Sequence, residues 1–433
     1  MKCVLSGMGL IILLLLAACG PRPIDPRLQL GRHPYLPPLH QYLLPPMHVA
    51  KVVGWNGAVP TVAPGLKIQA FASGLANPRS LYVLPNGDVL VVETGGPAAP
   101  VSRPKELVMN WVEKMAHSRT KPGQRILLFR DTKADGVPDL KTVFLDHLHS
   151  PFGVVLVGND LYVADTDAVV RFPYTPGQTQ ITTAGTTLCE LPGGPIDHHW
   201  TKSLTASPDG TKLYAGVGSN SNITENGMQA EIGRASIWEI DRATGAHREY
   251  ATGLRNPNGL QFEPQTHILW AVINERDELG PDLVPDYLTS IKDGAFYGWP
   301  YSYYGQHLDP RVKPQRPDLV AKAIAPDYAL SSHVAPLGLV FYGGANLPVR
   351  YRGGAFVGEH GSWDRSILNG YKVIFLPFEN GQPAGLPEDV VTGFLVDGDK
   401  ARGRPVGLAV DAAGALLIAD DTGNSVWRVS AAD

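Results

Sequence analysis

Residues 76–96, ANPRSLYVLPNGDVLVVETGG, carry the pattern that decides the fold. Two runs rich in valine, leucine and tyrosine, LYVL and DVLVVE, lie on either side of Pro-Asn-Gly. β-branched and aromatic side chains favour strands, and Pro-Asn-Gly favours a tight turn. The stretch therefore predicts a β-hairpin.

The same phrase recurs five more times along the chain. Each copy has a first β-run, a turn and a second β-run that ends in polar residues, and the copies begin at His149, His198, Arg255, His333 and Gly403. Sequence between the copies, such as ASIWEID at residues 235–241, supplies further strands. Six units that each build a small antiparallel sheet predict an all-β fold, a six-bladed β-propeller with four-stranded antiparallel blades.

The composition agrees with many short strands joined by turns. The 433 residues include 47 Gly and 38 Pro, and only 18% of them are charged. The formal net charge of −4 provides no basic surface, so we expect no nucleic-acid partner. Two of the three cysteines lie within the first 19 residues, which leaves Cys189 without an intrachain disulfide partner.

The first residues, MKCVLSGMGLIILLLLAACG, predict an export signal rather than a part of the fold. The apolar run is shorter than the about 20 residues that a membrane-spanning helix needs. The sequence LAAC that ends at Cys19 resembles the lipobox of bacterial lipoproteins, which implies cleavage before Cys19 and a lipid on this residue. A plain secretory signal is the alternative. Gly20 gives no inner-membrane retention signal by the same resemblance, so we expect a lipid anchor on the periplasmic side, in the outer membrane.

We therefore predict three parts of the chain. Residues 1–19 form the lipoprotein-type signal, residues 20–65 form a proline-rich tether, and residues 66–433 form the propeller. The tether lacks hydrophobic periodicity, which is typical of extended, semi-rigid segments.

The residues directly before the first β-run of each repeat define a candidate site. In a propeller the first strands surround the central axis, so the loops that enter them share one face. Arginine forks suit planar carboxylates, and a histidine can act as a general base. The alternative is that each residue is simply a polar loop residue. The residues are His198, His199, Arg255, Asn256, His333, Arg402 and Arg404.

Five stretches carry a resemblance to a known family: GLRNPNGLQF at 253–262, INERDELGPDLVPDYL at 273–288, GAFYGWPYSYYG at 294–305, EHGSWDRS at 359–366 and RGRPVGLAVD at 402–411. The chain resembles the soluble sugar dehydrogenases that depend on pyrroloquinoline quinone (PQQ), the glucose/sorbosone dehydrogenase family. The resemblance is greatest to the L-sorbosone dehydrogenase branch and to the fungal quinone-dependent pyranose dehydrogenases. It implies a quinoprotein oxidoreductase that oxidises a sugar or a related aldose or aldehyde by hydride transfer to PQQ.

The resemblance also assigns the catalytic residues. His199 matches the general base of the family, with His198 as the fallback. Arg255 and Asn256 match an Arg-Asn pair at the quinone oxygens. A positive charge there stabilises the oxygen that becomes negative as the hydride arrives.

Further cofactor, substrate and metal residues follow from the same resemblance. Arg402 and Arg404 match a pair that holds the carboxylates of PQQ, and His333 lies where the family places a residue beside the cofactor. The additional candidates are Lys202 and Arg365 for the cofactor, and His198, Trp200 and Asn258 for the substrate. The family's calcium ion bridges PQQ through backbone carbonyls, whose counterparts are those of Glu275 and Arg276.

The sequence is also compatible with two other functions. A calcium-dependent lactonase would use the metal to polarise an ester carbonyl, and it would need carboxylates and amides that converge on the metal. A non-catalytic propeller would bind carbohydrate or protein and would have no use for a base beside an anion site. The chain contains no C-x-x-C-H haem motif, so an oxidoreductase of this sequence would pass electrons to a separate acceptor.

Overall fold

The computed structural model describes residues 24–40, 47–97 and 121–432. The signal sequence and Cys19 lie outside these residues, so lipidation stays a prediction. The described part of the chain consists almost entirely of strands and loops, with one short helix, α1 (Pro317–Val320), and three 3-10 helices at Pro26–Gln29, Met228–Glu231 and Val349–Tyr351. No helix within these ranges is both long enough and apolar enough to cross a membrane.

Four strands precede or complete the repeats: β1 (Leu30–Gly31), β2 (Lys51–Val52), β3 (Thr61–Val62) and β4 (Leu66–Ser73). Three four-stranded antiparallel sheets follow, each with its strands in sequence order. Sheet I contains β5 (Pro78–Val83), β6 (Val89–Glu93), β7 (Arg125–Arg130) and β8 (Leu140–Leu145). Sheet II contains β9 (Gly153–Val157), β10 (Asp160–Ala164), β11 (Ala168–Pro173) and β12 (Thr186–Glu190). Sheet III contains β13 (Lys202–Ala206), β14 (Lys212–Val217), β15 (Ser236–Asp241) and β16 (His247–Thr252).

Three further sheets include strands from the N-terminal segment. Sheet IV contains β17 (Pro257–Phe262), β18 (Leu269–Ile273), β19 (Pro285–Ser290) and β22 (Tyr328–Ser332), with β1 at its edge. A separate hairpin, β20 (Ser302–Tyr303) and β21 (His307–Leu308), lies between β19 and β22 in the sequence. Sheet V contains β23 (Pro336–Phe341), β24 (Ala355–Glu359), β25 (Lys372–Leu376) and β28 (Glu388–Thr392), with β3 at its edge. A separate hairpin, β26 (Phe378–Glu379) and β27 (Gln382–Pro383), lies between β25 and β28 in the sequence. The short strands β29 (Leu395–Val396) and β30 (Lys400–Ala401) form a small sheet with β2. Sheet VI contains β31 (Pro405–Val410), β32 (Leu416–Asp420) and β33 (Ser425–Ala431), with β4 beside β33.

The first strands of sheets I to VI form a closed ring. β5, β9, β13, β17, β23 and β31 contact one another in this order, and β31 contacts β5. All six line a central cavity of about 330 Å³. Each repeat of the sequence forms the first and second strands of one sheet. The expectation of an all-β fold with four-stranded antiparallel sheets is thereby confirmed.

The core lies between neighbouring sheets, and β6 shows why. Successive side chains of a strand point to opposite faces. Leu90 and Val92 pack in a cluster shared with β10 of sheet II, whereas Val89 and Val91 pack in a cluster shared with β32 of sheet VI. Because both faces are buried, this second strand is a continuous apolar run rather than an alternating one.

Part of the proline-rich segment lies against the sheets. Gln29 is fully buried, and its side-chain amide donates to the carbonyl of Asp282. The indole N–H of Trp55 donates to the carboxylate of Asp420 at 2.6 Å. The predicted propeller boundary at residue 66 coincides with the start of β4, and the division into tether and propeller stays a prediction.

Candidate functional site

Loops at one end of the ring bring charged side chains together. Arg255 precedes the first strand of sheet IV, and its Nη1 donates to the carbonyl of Glu275, just after the second strand, at 2.6 Å. Arg79 lies at the start of β5 and pairs with Asp421, just after β32 of the neighbouring sheet, at 2.7 Å. We call this end, where first strands begin and second strands end, the mouth. The candidate residues that meet there form two clusters.

The first, the Arg255 cluster, consists of His199, Arg255, Asn256, Asp277 and His333. Arg255 Nη2 lies 3.0 Å from Asp277 Oδ2, and His333 Nδ1 lies 3.3 Å from Asp277 Oδ1. Burial opposes ionisation of Asp277, but Arg255 and the hydrogen bond from His333 lower its pKa to about 2. Burial likewise disfavours a charged His333, but the hydrogen bond to Asp277 raises the pKa of His333 to about 9. One carboxylate therefore joins Arg255 and His333, which the sequence places before the first strands of two different sheets.

His199 is held as a neutral imidazole with a defined tautomer. Its Nδ1–H donates to the carbonyl of Ser219 at 2.9 Å, which leaves Nε2 as the unprotonated nitrogen. Burial and then the positive charge of Arg255 lower the pKa of His199 well below its usual value. The neighbouring His198 is exposed. A neutral imidazole with a free Nε2 is able to accept a proton from a substrate.

A glycine allows His199 and Asn256 to approach each other. A Cβ atom at Gly218 would lie 2.4 Å from the Cβ of His199 and 2.6 Å from Oδ1 of Asn256. Both contacts are too short for real Cβ atoms, so any side chain at this position would push the two residues apart. The amide oxygen of Asn256 is buried and has no hydrogen-bond partner among the described residues.

The second group, the Arg404 cluster, consists of Arg79, Trp200, His360, Arg404 and Asp421. Asp421 accepts hydrogen bonds from Arg79 Nη1 at 2.7 Å and from His360 Nε2–H at 3.0 Å. Arg404 Nη1 lies 3.4 Å from Nδ1 of His360. The guanidinium of Arg79 lies 5.6 Å from the ring centroid of Trp200. Trp200 directly follows His199 in the same loop. The contact between Arg79 and Trp200 therefore joins the Arg404 cluster to the Arg255 cluster.

The Arg404 cluster retains hydrogen-bonding capacity for an anion. Arg404 Nη2 donates to the hydroxyl of Tyr371 at 2.9 Å, but the Nε atoms of Arg404 and Arg79 are buried without a partner in the described part of the chain. Burial lowers the pKa of His360 to about 4, so this histidine adds no positive charge near neutral pH. The Arg79 guanidinium pairs with Asp421, and the Arg404 guanidinium reaches His360 and Tyr371, so an additional anion would be favoured between the two guanidiniums.

Four residues selected from the sequence are buried in internal contacts instead. These contacts are Lys202 with Asp197 (3.3 Å), Arg365 with Asp282 (2.6 Å), Asn258 with Thr201 (3.1 Å) and Arg276 with Asp309. Side chains that are already paired in this way hold the loops that bear them. Arg402, in contrast, is only half-buried.

Several site residues were not selected from the sequence. They are Arg79, Asp277, His360 and Asp421. The repeat pattern points to the residues before each first β-run, whereas three of these four follow a second β-run. The polar ends of the second runs, as in LLIADD at residues 416–421, are the signal that would have found them.

The chain matches the TrAA12-like family over residues 60–285 and 314–432 and belongs to this family. A protein of Borreliella burgdorferi that is described as uncharacterized is 30% identical to it over 241 residues. That alignment covers 55% of this chain and 62% of the relative, so it spans less than two thirds of the relative's length.

Solved structures share the fold of this chain. The holo form of the pyranose dehydrogenase PQQ domain from Coprinopsis cinerea superposes with a TM-score of 0.68 at 21% identity, covering 86% of this chain and 97% of that chain. A calcium structure of a carbohydrate-active enzyme of family AA12 from Trichoderma reesei superposes with a TM-score of 0.69 at 19% identity, covering 88% of this chain and 98% of that chain. At these identities the similarity establishes the fold.

Proposed function

We propose that this protein is a six-bladed propeller quinoprotein that oxidises a sugar or a related aldose or aldehyde, of sorbosone or pyranose type, by hydride transfer to PQQ. The observation that carries the proposal is the convergence of a neutral imidazole, His199, with the guanidiniums of Arg255 and Arg404 at one mouth. The closed ring of first strands supports six blades. The names of the fold neighbours, a pyranose dehydrogenase PQQ domain and a family AA12 enzyme, support the reaction class.

The side chains of the mouth fit a planar quinone with several carboxylates. Nε of Arg79 and Nε of Arg404 are buried and lack partners within the described residues. A buried polar atom without a partner costs about 1–3 kcal/mol. Carboxylates of a bound ligand would accept from both guanidiniums and remove that cost, and the half-buried Arg402 lies close enough in sequence to join them.

Each side chain has a distinct role in this proposal. When bound, PQQ supplies a quinone that accepts a hydride. Nε2 of His199 takes the hydroxyl proton of the sugar, and its tautomer is fixed by the hydrogen bond from Nδ1–H. Arg255, held by Asp277 and by the carbonyl of Glu275, presents positive charge where negative charge develops. Arg79 and Arg404 bind carboxylates.

Calcium does not fit the two backbone carbonyls expected for it from the sequence. The carbonyl of Glu275 already accepts from Arg255 Nη1 at 2.6 Å, so a cation bound there would lie against a guanidinium. Arg276, the second expected ligand, carries another buried guanidinium, paired with Asp309. A calcium ion, which the name of the Trichoderma reesei neighbour supports, would therefore need other ligands.

Reconstitution with PQQ tests the proposed oxidation. The purified protein, supplied with PQQ and calcium, is expected to reduce a dye when aldoses are added. His199→Ala should still bind PQQ but lose turnover by about 10²- to 10⁴-fold, the usual contribution of a general base. His149→Ala is the matched control, because His149 opens the second repeat but is exposed and lies 2.8 Å from Asp167. Full turnover in His199→Ala would defeat the assignment of the base.

A lactonase is the second candidate, and one observation favours it. Asp277, His333 and Asp364 converge within 4.8 Å, the kind of side-chain set that a metal-dependent hydrolase requires. Hydrolysis of lactones without any quinone would support this function over the oxidation. If the protein shows neither oxidation nor hydrolysis, the remaining function is that of a non-catalytic propeller that binds carbohydrate or protein.

We also propose the surroundings in which the protein works. Export and a lipid on Cys19 would hold it at the outer membrane on the periplasmic side, and electrons would pass to a separate acceptor. The apolar first segment and the LAAC sequence support the anchor, and the absence of C-x-x-C-H from the sequence supports the separate acceptor.

A further inference from the structure

The N-terminal segment crosses the loops of the mouth before the first sheet begins. We call residues 24–40 and 47–63 the N-terminal strap. Three of its contacts, in chain order, are the N–H of His40 with the carbonyl of Leu279 (3.0 Å), the N–H of His48 with the carbonyl of Trp363 (2.9 Å) and the indole N–H of Trp55 with Asp420 Oδ2 (2.6 Å). Each acceptor lies at or after the end of a second strand, β18, β24 or β32. The strap therefore lies on the mouth side of sheets IV, V and VI.

Trp55 reaches the Arg404 cluster through one buried carboxylate. Asp420 is fully buried, and its Oδ2 accepts from the indoles of Trp55, at 2.6 Å, and Trp427, at 3.1 Å. The other oxygen, Oδ1, accepts from the backbone N–H groups of Arg404, at 2.7 Å, and Gly423, at 2.8 Å. The carboxylate that Trp55 holds is thus the one that fixes the backbone of Arg404.

The close approach of Trp55 to this carboxylate is built into the fold. A Cβ atom at Gly423 would collide both with Nε1 of Trp55 and with the carboxylate of Asp420. Burial raises the pKa of Asp420 to about 7, and the hydrogen bond from Trp55 is the strongest of the contacts that act against burial. Loss of this donor would favour the neutral carboxyl group, which is the weaker acceptor.

Gln29, near the other end of the strap, reaches the Arg255 cluster. Its side chain is fully buried, and its amide N–H donates to the carbonyl of Asp282 in the loop between β18 and β19. Its Oε1 accepts from the hydroxyl of Ser331 at 3.3 Å and from the backbone N–H of Ser332 at 3.4 Å. His333 follows directly. One amide therefore ties the backbone before His333 to a neighbouring loop of the mouth.

We propose that the N-terminal strap is a structural part of the site and holds both clusters in place. Trp55 is the positioning residue for Arg404. Gln29 is the positioning residue for His333. Buried polar networks whose members are all paired are rigid, and a binding site keeps its geometry only when such outer contacts fix its side chains. The consequence for cofactor affinity rests on the proposed function, whereas the consequence for the backbone of the mouth does not.

Hydrogen exchange of the quinone-free protein, followed by mass spectrometry, tests the strap without the cofactor. Trp55→Phe keeps an aromatic ring but removes the donor to Asp420. Short peptides that contain the amides of Arg404 and Gly423 should exchange about 10-fold faster in this variant, which corresponds to one hydrogen bond to a charged group. Trp270→Phe is the matched control, because the indole of Trp270 is also fully buried but its N–H has no partner among the described residues. The control should leave these amides unchanged.

Gln29→Leu tests the other end of the strap in the same way. Leucine cannot form either hydrogen bond of Gln29, so peptides that contain the amide of Ser332 should exchange faster than in the wild type. Titration with PQQ then measures the effect on the site. Trp55→Phe and Gln29→Leu should each bind PQQ about 10-fold more weakly, and Trp270→Phe should bind it as the wild type does.

The outcomes separate this proposal from the proposed oxidation. Unchanged exchange at Arg404 and Gly423 in Trp55→Phe overturns the positioning role, and so does an equal acceleration in Trp270→Phe, which would indicate general destabilisation. Faster exchange with unchanged PQQ affinity overturns the strap as a part of the site. Faster exchange confined to the strap variants, with a wild type that binds no PQQ, supports the strap and contradicts the proposed function instead.

Discussion

Asp197→Asn removes the charge that holds the His199 loop in place. The carboxylate of Asp197 lies 2.6 Å from Arg234 Nη1 and 3.3 Å from Lys202 Nζ, and these three side chains are at most 2% exposed. Lys202 Nζ also donates to the carbonyls of His199 and Trp200, at 3.4 and 3.1 Å. One carboxylate therefore balances two buried cations beside the loop that carries the proposed base.

The expected loss of stability follows from these contacts. Removing one partner of a buried ion pair costs about 3–5 kcal/mol, because a charge is left buried and unpaired. Lys202 can relieve part of this cost by losing its proton, since burial already lowers its pKa to about 8. Arg234 cannot do so. We therefore expect Asp197→Asn to lower the free energy of unfolding by about 3–5 kcal/mol and to reduce turnover, because the loop is no longer fixed.

Urea denaturation at pH 7 measures the effect as a lower midpoint with an unchanged slope. Asp241→Asn is the control. Asp241 pairs with Lys212 at 2.7 Å, but the side chains of both residues are about one third exposed. Water screens such a pair, so its loss should matter far less. Adding Lys202→Met to Asp197→Asn should restore part of the stability. Equal losses in Asp197→Asn and Asp241→Asn would refute the reasoning.

Three more predictions follow from the structure and the sequence. Burial and Arg255 lower the pKa of His199, so kcat/KM should hold its value as the pH falls below 6.5. In Arg255→Met, the decline of kcat/KM on the acid side should move to higher pH. A wild-type kcat/KM that already declines near pH 6.5 contradicts this prediction. Burial raises the pKa of Glu359 to about 8, so the folded protein binds this proton more tightly than the unfolded chain. The free energy of unfolding should then fall as the pH rises from about 5 to about 8, by at most about 1.4 kcal/mol per pH unit, and urea denaturation of Glu359→Gln should show a weaker dependence. Cell fractionation should find Cys19→Ala in the soluble fraction and Cys3→Ala with the wild type in the membranes; identical behaviour of the two variants argues against the lipid.

The fold could be predicted because its signal is local. The sequence pattern of each hairpin lies within about two dozen residues, as at residues 76–96, and the same pattern recurs in every sheet. The two-residue strands β1 and β3 could not be predicted, because two residues carry no periodicity. Their pairing with sheets IV and V depends on where a long irregular segment meets the finished ring.

The site could be predicted only in part, for a different physical reason. His199 and Arg255 were accessible to sequence reasoning because their positions before a first strand fix where they lie. The environment of a cation is not fixed in this way. Lys202 and Arg365 are neutralised by Asp197 and Asp282, which come from other positions in the loops, and sequence alone does not say which carboxylate meets which cation.

Equilibrium titration of the purified protein with PQQ tests the central claim most directly. We predict saturation at one PQQ per chain, with an affinity that falls by at least about 10-fold in Arg404→Leu, which removes a charge-assisted contact. The exposed Arg352 lies in sheet V's connecting loop, and Arg352→Leu should bind PQQ like the wild type. A wild-type protein that shows no saturable PQQ binding, or an Arg404→Leu variant that binds it unchanged, would contradict the account.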